Sequence, residues 1–152
     1  MTITGETFFV DTNVLVSATD RSRQHHERAL DLLSRVPGAG GHLSWSGQVV
    51  REYLVVATRP VEGNGLGLSP GRALENVSAF HQRLHLLPEE RAVARRLEAL
   101  VARHGLVGKQ IHDAGVVATM LVHGLTVCIS DNGDDFSRFD EVDVVDSGFV
   151  SG

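Results

Sequence analysis

The strongest constraint on the fold is an alternation of short apolar runs with longer amphipathic ones. Thr7-Phe8-Phe9-Val10 is rich in β-formers and is followed at once by polar residues, as a buried strand would be. A short helix over 13–18 comes next. A longer one over 22–36 places Ala29, Leu32, Leu33 and Val36 on one face. His42-Leu43-Ser44 reads as a second strand. Ser46 is placed to cap a helix that runs to Thr58 and stops before Pro60. Ser69-Pro70 pairs a cap with proline at the first helical position and opens a helix to 82. A strand at 83–87 and an arginine-rich helix from Pro88 to His104, closed by Gly105, follow. Then come a helix over 110–123, a strand over 125–129 and a last strand at Val142-Asp143-Val144-Val145. Strands alternating with helices of this length predict an α/β three-layer sandwich: a short, mostly parallel sheet with helices on both faces, joined by right-handed crossovers.

The chain has 152 residues, which suits one domain over 1–152. Two turn-rich stretches, Pro37-Gly38-Ala39-Gly40-Gly41 and the segment from Pro60 to Leu68, read as loops within it. No run of about 18 uncharged apolar residues offers a transmembrane helix. The first residues lack a basic and an apolar signal region, so the expected location is the cytoplasm, with no membrane partner. The lone cysteine, Cys128, lies in an apolar run and reads as a buried strand residue. A net charge of −5 argues against nucleic-acid binding by a global basic field. It is compatible with a nuclease that gathers carboxylates, because bound metal ions reverse the local sign. The arginines at 91, 95, 96 and 103, and those at 21, 23 and 28, read as solvated helix faces.

Four acidic positions stand out. In parallel sheets, sites collect beyond the carboxyl ends of strands. Asp11 directly follows the first strand, and Asp131 follows the fourth after Ser130. Glu52 and Asp113 fall on helices, and each has valines three and four residues away: Val49, Val55 and Val56 for Glu52, Val116 and Val117 for Asp113. A carboxylate on a core-facing helix surface must be paired or bound to a cation. Each acid also has an ordinary explanation. Asp11 could cap a helix, Asp113 could sit at a helix's positive end, Glu52 could form an ion pair, and Asp131, Asp134 and Asp135 could be turn residues. One metal site accounts for all of them together.

Oxygen ligands of this kind suit hard divalent cations, Mg²⁺ or Mn²⁺. Such an ion can activate a water and shield a phosphate. Zinc is not indicated: there is no cysteine pair, and His25-His26 falls on an amphipathic helix and reads as surface. His112 reads as packing or as a substrate contact. No phosphate loop of the Gly-Lys-Ser/Thr kind is present.

These residues resemble the PIN-domain family. Phe9-Val10-Asp11-Thr12-Asn13-Val14-Leu15-Val16 is similar to its opening strand and turn. Gln48-Val49-Val50-Arg51-Glu52-Tyr53-Leu54 with Thr58-Arg59-Pro60 is similar to its second motif. Gly108-Lys109-Gln110-Ile111-His112-Asp113-Ala114 is similar to the third, and Ser130-Asp131-Asn132-Gly133-Asp134-Asp135-Phe136 to the last. The four occur in order over nearly the whole chain, and the subgroup they most resemble is the VapC toxins of bacterial toxin–antitoxin pairs. The resemblance implies a Mg²⁺- or Mn²⁺-dependent endoribonuclease acting on single-stranded RNA regions, a homodimer, and inhibition by a cognate VapB-type antitoxin. The candidate catalytic acids are then Asp11, Glu52, Asp113 and Asp131, and the candidate metal ligands are these four with Asp135. Thr12, Asn13, Ser46, Ser130, Asn132 and Lys109 are candidates to hydrogen-bond the ligands or touch substrate. Arg51, Arg59, Lys109 and Arg138 are candidates for RNA phosphate contacts.

The fourth position departs from the family pattern. Asn132 stands in the slot the family often fills with an acid or an asparagine, and the acid comes from Asp131 or Asp135. Two alternatives remain open: a housekeeping PIN nuclease in RNA maturation, and a non-catalytic PIN scaffold. A phosphatase with an aspartyl nucleophile is disfavoured, because Asn13 stands where that chemistry usually needs a second aspartate.

Overall fold

The computed structural model describes residues 2–150. Its strands are β1 (Thr7–Val10), β2 (His42–Ser46), β3 (Leu84–Leu87), β4 (Val127–Ile129) and β5 (Asp143–Val145). All pair in parallel, in the order β3-β2-β1-β4-β5. The helices are α1 (Thr12–Thr19), α2 (His26–Gly38), α3 (Gly47–Thr58), α4 (Pro70–His81), α5 (Arg91–His104) and α6 (Gln110–Val122). No helix is long and apolar enough to cross a membrane.

The strand order fixes where a site can form. The chain steps outward from β1 to β3, then returns to the other side of β1 for β4 and β5. Right-handed crossovers in opposite directions place helices on opposite faces of the sheet. The reversal falls between β1 and β4, where Phe9 pairs with Cys128 and Val10 with Ile129. Beyond the carboxyl ends of those two strands the diverging connections leave a crevice.

The core explains the sheet's sequence. Phe8, Phe9 and Val10 are all buried, as are Leu43, Trp45, Cys128 and Ile129, so strands covered on both faces read as continuous apolar runs. Tyr53 is fully buried and joins three helices: its hydroxyl lies 2.8 Å from Thr19 Oγ1 and accepts from Asn76 Nδ2 at 3.1 Å. The Trp45 ring meets Phe80 and His81 edge to face.

Several elements differ from the sequence reading. α2 starts at His26, which is buried, not on the surface; its Nδ1 sits 2.8 Å from the Ser17 carbonyl and ties α2 to the end of α1. α2 also runs through Pro37 and Gly38, which the sequence suggested were loop. A proline there leaves the Leu33 carbonyl without its helical N–H, and the Arg83 guanidinium donates to that carbonyl at 3.3 Å. Ser46 stands at the N-cap of α3 but makes no cap bond. Glu89 takes that place instead, its carboxylate accepting from the Gln48 N–H at 2.6 Å. On α3 the buried stripe is Val49, Tyr53 and Ala57, while Val55 is 57% exposed. Glu52 therefore lies at the edge of the apolar face and not at its centre.

Candidate functional site

Asp11 is the residue after β1, and its N–H still bonds to the Ile129 carbonyl of β4 at 3.0 Å. The chain then turns into α1, with Asp11 as N-cap accepting from the Thr12 N–H at 2.9 Å. The capping role and a site role coexist. The other carboxylate oxygen accepts from Asn13 Nδ2 at 2.8 Å and from Ser130 Oγ at 2.9 Å. A carboxylate offers about four acceptor sites, so coordination remains open to it. Asn13 bridges further, donating to Ser130 Oγ at 3.0 Å and accepting from the Asp131 N–H at 2.9 Å. Ser130 Oγ also accepts from the Asn132 N–H at 3.1 Å. The ends of β1 and β4 are thus sewn together by short polar side chains.

Glu52 approaches from α3. One oxygen accepts from Thr12 Oγ1 at 2.7 Å and the other from Gln48 Nε2 at 2.9 Å. The same Gln48 amide reaches the His112 carbonyl at 2.8 Å, so α3 and α6 are held in register beside Asp113. Asp113 lies in the first turn of α6, half-buried. Asp135 lies in a single 3-10 turn, Gly133–Phe136, anchored by the buried Phe136. Among the described residues, neither the Asp113 nor the Asp135 carboxylate accepts a hydrogen bond.

Asp11, Glu52, Asp113 and Asp135 line one cleft of about 370 Å³, together with Thr12, Asn13, Asn132, Arg23, Arg59 and Asn64. Burial pushes the Asp11 carboxyl up to about 6, with Glu52 and Asp135 adding to the shift and bonds from Ser130 and Thr12 opposing it. Asp113 is also pushed up to about 6, by burial and then by Asp135, Asp11 and Glu52, with Arg138 opposing. The cleft holds more negative charge than its arginines offset. Its donors are all oxygen, and a hard divalent cation relieves that kind of crowding.

One rim of the cleft is built by the glycine-rich segment that follows α3. A 3-10 turn, Val61–Gly63, follows α3, and the chain then folds back so that Leu66 N–H and Leu68 N–H bond to the Val56 and Ala57 carbonyls. The Arg59 carbonyl fills the space a Cβ on Gly65 would need. Asn64 takes a left-handed φ of 64°, which asparagine tolerates better than most residues. The apparent loop is therefore a built turn that presents Arg59 and Asn64 to the cleft.

The PIN domain family model matches residues 8–142. The chain belongs to the PIN domain family. This PIN domain is 34% identical over 148 residues to Ribonuclease VapC48 of Mycobacterium tuberculosis, a match covering 93% of this chain and 96% of that protein. It is similar in fold to Mycobacterium tuberculosis VapC20, described as a sarcin–ricin loop cleaving toxin. That match has a TM-score of 0.68 at 16% identity and covers 87% of this chain and 95% of the other. It is likewise similar to the DNA-bound VapBC of Salmonella typhimurium, with a TM-score of 0.66 at 23% identity over 93% of this chain and 98% of the other.

In this PIN domain the structure brings Asp11, Glu52, Asp113, Asp135, Thr12, Asn13 and Asn132 to one cleft, with Ser130 bonded beneath them. It does not bring Asp131 there. The Asp131 carboxylate turns away, accepting from Arg28 at 2.8 Å and from the N–H and Oγ of Ser147. Burial alone would raise this carboxyl, but the bonds from Ser147 and Arg28 prevail and hold it below the usual range. Lys109 is exposed at the start of α6, outside the cleft lining, and the buried Ser46 hydroxyl has no partner among the described residues and is also outside it. Of the arginines singled out, Arg59 lines the cleft and Arg138 acts on Asp113 electrostatically, while Arg51 pairs with Glu89 at 3.8 Å. Sequence reasoning missed Gln48, Arg23 and Asn64. Gln48 carried a signal, being four residues before Glu52 and so on its helix face.

Among the described residues, a different acidic group draws its ligand atoms within 4.8 Å of one another: His104, Asp140 and Glu141. Arg103 already contacts both carboxylates there, at 3.0 Å and 3.4 Å, and His104 pairs with Glu141 at 3.1 Å. Among the described residues, no three of the cleft acids bring their ligand atoms within 4.8 Å of one another.

Proposed function

We propose that this PIN domain is a toxin-type endoribonuclease that uses Mg²⁺ or Mn²⁺. The observation that carries the reading is the convergence of Asp11, Glu52, Asp113 and Asp135 on one cleft at the β1/β4 switch point, with the Asp11 and Asp113 carboxyls raised to about 6 by burial and then by neighbouring carboxylates. These four are the residues that would hold the ion. When bound, the ion supplies a lowered pKa for a coordinated water and charge screening for a phosphodiester.

The chain's own groups do the rest. Thr12, Asn13 and Ser130 fix the Asp11 carboxylate, and Thr12 and Gln48 fix Glu52. Among the described residues, Asp113 and Asp135 accept no hydrogen bond that meeting a cation or a water would cost them. Arg23, which also pairs with Asp20 at 3.4 Å, and Arg59 line the cleft wall and are placed to take RNA phosphates. The relative named as a ribonuclease and the fold neighbours solved as VapBC assemblies support RNA as substrate and a VapB-type antitoxin as partner. A homodimer and a cytoplasmic location belong to the same reading.

The test is induction of the protein, with RNA 5′ and 3′ ends mapped across the transcriptome and Asp11→Asn as control. The expected result is growth arrest with new ends at a small set of sites, absent in the variant and suppressed by the product of an adjacent antitoxin-sized gene. Equal growth and identical end maps for the two proteins would refute the toxin reading.

A further inference from the structure

We propose that Asp131 is a positioning residue, which together with Arg28 and Ser147 sets the segment carrying Asn132 and Asp135 into the metal cleft. The inference rests on the metal-dependent reading above and adds to it a part of the molecule far from the cleft in sequence.

Asp131 is held at both ends. Its N–H donates to Asn13 Oδ1 at 2.9 Å, and Asn13 in turn donates to Asp11. Its carboxylate points the other way. There Oδ1 accepts from Arg28 Nη2 at 2.8 Å and from the Ser147 N–H at 2.9 Å, and Ser147 Oγ reaches Oδ2 at 2.8 Å. Arg28 Nε closes the ring by donating to Ser147 Oγ at 2.8 Å. The Asp131 side chain is only 7% exposed and Ser147 is fully buried. A charge so enclosed is costly unless every partner is kept. The Arg28 stem also packs on Gly148, where a Cβ would stand 3.3 Å from Cδ.

The segment behind the ring is anchored independently. Ser130 N–H bonds to the Val145 carbonyl at 2.9 Å, and the Phe149 ring packs on Phe8 at 5.2 Å. Residues 146–149 thus leave β5 and form an abutment seated on Phe8 through Phe149. Asp131 couples that abutment to the start of the turn that presents Asp135. The next residue, Asn132, already faces the cleft. Releasing the Asp131 carboxylate removes the tie between that abutment and the turn, leaving the segment held here by the Asp131 N–H bond to Asn13 and the Ser130 N–H bond to Val145.

The experiment is calorimetric titration of the full chain with Mn²⁺, beside metal-free melting curves, for wild type, Asp131→Asn, Arg28→Gln, their double variant, Arg28→Lys and Ser147→Ala. Loss of a group that orients a metal site costs on the order of 10–100-fold in affinity. Asp131→Asn and Arg28→Gln are each expected to weaken Mn²⁺ by about tenfold or more, and the double variant no further than the worse single, as for two members of one network. Arg28→Lys is expected to recover part of the loss. Ser147→Ala keeps the backbone N–H and gives a mild, well-folded version of the same effect. Lowered melting temperatures with unchanged Mn²⁺ affinity in the folded variants would overturn the proposal. So would a large loss in Asp131→Asn with none in Arg28→Gln or Ser147→Ala, which is the pattern of a direct ligand. A wild-type protein that takes up no Mn²⁺ would defeat the metal reading itself, and the positioning role with it.

Discussion

The Gln48 amide lies so close to Gly115 that a Cβ on that glycine would stand 2.6 Å from Gln48 Oε1. This contact between α3 and α6 sets the orientation in which Gln48 holds Glu52 and the His112 carbonyl. Gly115→Ala should therefore act on Glu52 through Gln48, across the contact between α3 and α6. Gln48 is a flexible side chain and can retreat, so the stability cost should be at most about 1 kcal/mol, below the usual range for overpacking. RNA cleavage should fall about 10–100-fold. Cleavage rates and urea melts of Gly115→Ala, Gln48→Ala and the double variant check this. The double should be no worse than Gln48→Ala alone.

The raised carboxyls give a signed pH dependence. Asp11 and Asp113 have folded values of about 6 against an ordinary 3.8. Their favourable contribution to metal-free stability is full below about 3.8 and is lost as pH rises through about 6. Metal-free protein should thus melt higher at pH 5 than at pH 7.5. Mn²⁺ should raise the melting temperature more at pH 7.5, where both groups are charged, than at pH 5, where protons must first leave. Asp131 does not confound the window, since its lowered carboxyl loses its contribution only below the ordinary range. Melting curves at the two pH values, with and without Mn²⁺, read this directly. A metal-induced shift that does not grow with pH would contradict it.

The Gly65 backbone packs on the Arg59 carbonyl, with no room for a Cβ. Gly65→Ala should displace the turn that presents Arg59 and Asn64. Because the carboxylates sit on other elements, the defect should appear mainly as a raised KM for RNA, with kcat and Mn²⁺ affinity near wild type. Steady-state kinetics on a single-stranded substrate distinguish this from general misfolding, which would lower all three.

Arg23 and Arg59 are the cleft-lining cations. If each neutralises one RNA phosphate, either alanine variant should weaken RNA binding and reduce the salt slope of log K by about 0.7, the single-strand value per charge. Arg51, paired with Glu89 outside the cleft, should show no such change in slope. Binding of catalytically inactive protein to labelled RNA across a salt series measures both.

Much of the architecture was legible because the sheet is buried on both faces. Phe8-Phe9-Val10 and Cys128-Ile129 carry continuous apolar runs that announce central parallel strands, and acids just after them announce the switch point. The same logic points to Asp11, and valines at helical spacing point to Glu52 and Asp113; all three line the cleft. What the sequence could not show were relationships set by tertiary packing. Val55 and Val49 are both valine at helical spacing from Glu52, yet one is exposed and the other buried, because α3 meets the core through Tyr53 and Ala57. His26 looks like a surface histidine until the Ser17 carbonyl is found beside it. Asp131 and Asp135 are equivalent in a turn-forming string. Only the distant partners Arg28 and Ser147 take Asp131 away from the cleft and leave Asp135 in it.

The most direct test of the central claim is cleavage of single-stranded RNA by purified, metal-stripped protein, with Mg²⁺ or Mn²⁺ added back, for wild type, Asp11→Asn and Asp135→Asn. The account predicts no cleavage without metal, cleavage on add-back for wild type, and a loss of at least about 100-fold for both variants. Cleavage by wild type in the presence of chelator, or equal rates for wild type and Asp11→Asn, would contradict it.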